Sequence, residues 1–171
     1  MKYKFKLTNT TANYVPNGYL SRLKMFVLNE QAVQQGSWTN LNGELKVSFN
    51  FKVLNKVYQV IVESLTYREN WPPRAIFEGN GRFNWMSSTS NPEQVWISVE
   101  TDMPITRFEY LNRGFSGFAS DGGSYNNKLL LTEETTNTII FDGNTPFNQT
   151  ISVEVPMKLS YHNKNTFISF K

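Results

Sequence analysis

The chain has 171 residues, of which 39% are hydrophobic and 18% charged, a globular and charge-poor balance that excludes a disordered polyelectrolyte. It has no cysteine, which removes disulfides, thiolate nucleophiles and thiolate metal sites together, and its single histidine, His162, leaves a zinc site short of nitrogen ligands. The net charge of +3 is too small to imply nucleic-acid specificity.

The first element is Lys2-Tyr3-Lys4-Phe5-Lys6-Leu7, where apolar residues face one way and three lysines the other, the period-two signature of a strand. The same stretch lacks an apolar h-region, so no signal peptide is expected. The lysine stripe reads as the guard of an edge strand. Leu23, Met25 and Val27 mark a strand in the twenties, and Glu30 to Gln35 fits one short helical turn. Leu45, Val47, Phe49, Phe51 and Val53 alternate with polar residues. The pattern breaks at Asn55-Lys56 and resumes from Val57 to Leu65, a hairpin whose Asn tolerates positive φ.

Gly79-Asn80-Gly81, between Ala75-Ile76-Phe77 and Arg82 to Trp85, reads as a second hairpin. Val95, Ile97 and Val99 form the next strand, followed by candidates at 105–111, 128–132 and 138–141. The longest alternation runs from Thr150 to Tyr161. Pro156 on its outward side cannot donate to a ladder, so this strand is expected at an edge or bulged. A turn at 162–165 leads into a last strand at 166–170.

About ten antiparallel strands without a fixed repeat indicate a single all-β domain over 1–171, a two-sheet sandwich with jelly-roll or related Greek-key topology. Its core is expected to contain Phe5, Val47, Phe49, Phe51, Val60, Val62, Ile97, Val153, Val155 and Leu159. No apolar run approaches the roughly 18 residues of a membrane span.

Three loops stand out, at 8–18, 85–92 and 114–127. Aromatic residues in or beside turns are the functional signal: Trp38, Trp71 and Trp85, with Phe115, Phe118 and Tyr125 in the last loop. Trp96 joins them because it alternates out of phase with Val95, Ile97 and Val99. Such side chains stack on sugars or anchor protein interfaces. Catalytic constellations are not evident. Glu100 with Asp102, and Glu133 with Glu134, are acids at strand ends, and no Gly-x-Ser-x-Gly elbow occurs. Asp121 to Ser124 and Asp142-Gly143-Asn144 could offer oxygens to calcium, but neither matches the twelve-residue EF-hand pattern and both read as plain turns.

Charge is unevenly split. Residues 1–85 hold eleven Lys/Arg against five Asp/Glu, and 86–171 hold six against nine. Opposite charges on two sides suit contacts between neighbouring copies. The resulting expectation is a non-enzymatic assembly subunit, of the capsid, penton, spike or fibre kind, without cofactor or metal. Its partners would be copies of itself or other structural subunits, and its location the virion or the producing cell's cytoplasm. The alternative is a carbohydrate-binding module or lectin that uses the loop aromatics on glycans.

Overall fold

A computed structural model of the chain describes residues 2–9, 20–67, 69, 72–78, 85–86, 96–114, 127–145 and 149–156. In chain order the described strands are β1 (Tyr3–Asn9), β2 (Leu20–Val27), β3 (Gln31–Ala32), β4 (Thr39–Asn42), β5 (Lys46–Val53) and β6 (Lys56–Ser64). They continue as β7 (Trp85–Met86), β8 (Trp96–Thr101), β9 (Ile105–Gly114), β10 (Asn127–Glu133), β11 (Thr138–Thr145) and β12 (Thr150–Glu154). One helical turn, α1 (Ala75–Glu78), and a 3-10 turn at Leu28–Glu30 are the only described helical segments.

Two antiparallel sheets result. The larger runs β11-β10-β1-β8-β6-β5-β4, and the smaller β12-β9-β2-β3 with β7 alongside β2. Their inner faces share one apolar cluster, as a sandwich requires. At its centre Phe5 of β1 stacks on Phe108 of β9 at 5.7 Å and meets Tyr110 at 6.0 Å. The chain passes between the sheets several times; in two of these crossings β1 leads to β2 and β8 to β9, while β1 pairs with β8 and β2 with β9. In a jelly roll the partner's number falls as the strand's own number rises. The pairs β1–β10 and β2–β9 are nested in this way, whereas β1–β8 and β2–β9 are not.

The expected phase holds for Phe5, Val47, Phe49, Val60, Val62, Ile97, Val153 and Val155, all buried. Leu159 lies outside the described residues. Phe51 is a correction: it is half-buried and packs against the edge of the core. Phe51 and its partner Tyr58 lie on the part of the β5–β6 hairpin beyond Val60, where β8 no longer pairs with β6.

Three other expectations change. Ala75-Ile76-Phe77 is helical rather than extended, because Pro72 and Pro73 fix φ for a first turn whose carbonyls accept from Ala75 and Ile76. The helical turn near Glu30 ends at that residue instead of beginning there, with Glu30 at φ 59. The lysine stripe does not guard an edge. β1 pairs with β10 on one side and β8 on the other, so Lys2, Lys4 and Lys6 stand on an interior strand. By contrast β12 lies at an edge among the described strands, as expected, and ends at Glu154 before Pro156.

The first hairpin is as read, with Leu54 at φ 49 and Asn55 at φ 68, the double positive φ of a type I′ turn. Leucine is costly there, and Leu54 is 82% exposed, so it contributes little packing in return. Leu54→Asn is expected to stabilise the fold by about 0.5–1 kcal/mol. A urea midpoint that falls in this variant would contradict the turn assignment.

Candidate functional site

The strand registers give the sandwich two unlike ends. At one end β5–β6, β8–β9, β10–β11 and β2–β3 are joined by the short links 54–55, 102–104, 134–137 and 28–30. At the other, Asn9 pairs with Asn127, Thr8 with Trp96, Leu20 with Gly114 and with Met86, and Asn127 with Thr145. These strand ends flank 10–19, 87–95, 115–126 and 146–149, so the chain's long connections leave and re-enter the sandwich together. The strand ends that flank the three loops singled out in the sequence are at this end.

Among the candidate aromatics, the backbone of Trp85 pairs with Ser21 at this same end. Phe115, Phe118 and Tyr125 lie outside the described residues, between Gly114 and Asn127. Trp71 also lies outside them.

Trp38 proves to be a packing residue. Its ring meets Phe49 edge-on at 4.8 Å and Phe77 at 6.5 Å, closing the core between β5 and α1. Its indole Nε1 is buried and has no hydrogen-bond partner among the described residues.

Trp96 is the candidate that the structure places in a concavity. Its ring lines a groove of 390 Å³ where β4, β5, β6 and β8 reach the long-connection end. Leu41 and Leu65, 47% and 45% exposed, supply apolar walls. Asn42, Leu45 and the buried Ser64 complete it with the ion pair of Lys46 and Glu63, whose Nζ and Oε2 are 3.3 Å apart. Lys6 reaches across from β1 to lie 5.6 Å from the centre of the Trp96 ring, a cation–π contact that helps fix the indole. The Ser64 hydroxyl donates to the Thr66 carbonyl at 2.9 Å, leaving the exposed ion pair and the Asn42 amide as the groove's available polar groups. Such a lining can bind a molecule with one flat apolar face and hydroxyls at its edge.

The out-of-phase position of Trp96 was readable in sequence, but its neighbours were not. Leu41 sits in Thr39-Asn40-Leu41-Asn42, an exposed strand without apolar alternation, and Glu63 meets Lys46 only through hairpin register.

The acids have other tasks. Glu100 pairs with Lys2 at 2.6 Å and Glu134 with Lys4 at 3.6 Å. The contact with Glu100 is the main influence raising the Lys2 pKa. Glu133 is fully buried and caps the 134–137 turn, accepting from the backbone N–H groups of Thr135, Thr136 and Lys2 and from the Thr136 hydroxyl. Asp142-Gly143-Asn144 is part of β11 rather than a loop, and a Cβ at Gly143 would meet the Phe141 ring at 3.2 Å. No metal-binding cluster of His, Cys, Asp or Glu occurs among the described residues. Asp121 to Ser124 and His162 lie outside them.

A further cluster on the five-stranded sheet went unnoticed in sequence. Arg107 stacks 3.9 Å above the Phe26 ring and pairs with Glu109 and with Glu30 at 2.8 Å. Hydrogen bonds to Glu109 and then Glu30 push the guanidinium pKa above its ordinary value. This pair ties the strained Glu30 turn to β9.

No family model, curated protein or solved structure matches this chain. No described helix is long and apolar enough to cross a membrane.

Proposed function

We propose that this chain is a non-enzymatic structural subunit that works by joining other copies of itself or other structural subunits, as a component of a virus or phage particle. The observation that supports the reading best is the inequality of the two ends. Four short turns lie at one end, and the strand ends that flank 10–19, 87–95, 115–126 and 146–149 lie at the other, where long connections offer surface for meeting a partner. The sandwich architecture supports the particle setting by fold-level analogy.

The remaining edges favour contact through that end over edge-to-edge pairing. β3 and β4 are short, β12 stops before a proline, and β11 is opposite a register shift at Leu131/Thr132. Each of these features discourages strand addition. The charge split is satisfied inside the chain in part, since Lys2–Glu100, Lys4–Glu134 and Glu30–Arg107 each join one half to the other. Assembly is therefore expected to persist as salt rises from about 0.05 to 0.5 M, unlike an association driven by exposed ion pairs.

Sedimentation velocity over a concentration series tests the proposal. A species heavier than the 19.8 kDa chain at both salt concentrations is the expected result. A monomer at every concentration would contradict self-assembly, and dissociation by salt would show an association driven by exposed ion pairs instead.

A further inference from the structure

We propose that the Trp96 groove binds a neutral saccharide. The inference stands apart from the assembly reading, since a structural subunit can carry a glycan site and a monomer can carry one equally well. Three features of the groove carry it.

A sugar ring has a C–H face that stacks on an aromatic ring and a rim of hydroxyls that both donate and accept. Trp96 supplies the aromatic surface, half-buried and steadied by the Lys6 ammonium. Lys46 and Glu63 supply a donor and an acceptor side by side, 3.3 Å apart, with each side chain more than a third exposed. Asn42 offers an amide with both functions, and a hydroxyl pair can bridge such groups without breaking them apart. The volume, 390 Å³, falls within the range of small-molecule sites.

The same lining disfavours the competing occupants. An apolar peptide face or lipid chain would strip water from the Lys46–Glu63 pair without replacing its hydrogen bonds, a desolvation loss that the two leucines do little to offset. A phosphate or carboxylate ligand would meet Lys46 only beside the Glu63 carboxylate that already pairs with it, so it gains less from the groove than from a free cation. A neutral polyol avoids both difficulties.

The test is saturation-transfer NMR and titration of the full chain with neutral gluco-, galacto- and manno-configured oligosaccharides, alongside the corresponding uronic acids. At least one neutral sugar is expected to bind with a dissociation constant of about 1 mM or tighter. Trp96→Ala should weaken it about tenfold or more. Because that substitution can also disturb the sheet, Glu63→Gln, at an exposed site, is the companion variant and should weaken binding while leaving the thermal midpoint in place. The proposal is overturned if no neutral sugar binds, if only the uronic acids bind, or if Glu63→Gln leaves the affinity unchanged.

Discussion

Phe5→Ala is expected to lower folding stability by about 3–5 kcal/mol, the largest effect of any single substitution considered for this chain. Phe5 is fully buried on the interior strand β1 and touches the facing sheet through Phe108 and Tyr110. Truncation removes the aromatic contact between the sheets and leaves a cavity between two strands that are paired on both sides, where collapse is hindered. Lys4→Ala, one residue away on the outward face, should change stability far less. Urea denaturation of the two variants checks the contrast. A loss below about 1 kcal/mol for Phe5→Ala would mean that β1 is not at the centre of the packing.

Glu133→Gln should cost about 1–3 kcal/mol at neutral pH, because the amide replaces an oxygen that accepts backbone N–H groups with one that donates. Burial alone would raise the carboxyl pKa. The hydrogen bonds from the Thr135 backbone and from the Thr136 hydroxyl and backbone outweigh it and hold the group below its ordinary value of 4.5. A depressed native pKa means that ionised Glu133 stabilises the fold above the unfolded pKa. That contribution fades as pH falls from about 4.5 through the lower native value. The difference between wild type and Glu133→Gln should therefore be constant near neutrality and shrink in acid. An equal difference at pH 7 and at pH 3 would show that the carboxylate charge has no part in holding the turn.

The sequence made strand phase legible because each strand has one wet and one dry face. Phe49 and Ser48 could be told apart as positions even though both are buried, Ser48 lying in the polar phase of β5. It could not reveal partners distant along the chain. Three outward lysines look alike on an edge strand and on an interior one, and only the pairing of Tyr3 with both Thr101 and Glu133 decides between them. Local propensity misled at Ala75-Ile76-Phe77, where the two preceding prolines outweigh a β-like run. Exposed β4 gave no periodic signal at all.

The aromatics teach the same lesson at the level of the site. Trp38 and Trp96 were equal candidates by sequence context, one near turns and one out of phase. Long-range packing separates them: Trp38 is covered by Phe49 and Phe77, whereas Trp96 lines a groove closed by residues from three other strands. The convergence of the loop-bearing strand ends is likewise a product of register, invisible until β1, β8 and β10 are set side by side.

Hydrogen exchange on the full chain, compared between dilute and self-associated samples, tests most directly whether the long-connection end is the contact surface. Amides of the strand ends at Asn9, Leu20, Trp96, Gly114 and Asn127 should gain protection on association, while those of the 54–55 and 134–137 turns keep their monomer rates. Protection confined to the short-turn end, or spread evenly over both, would contradict the account.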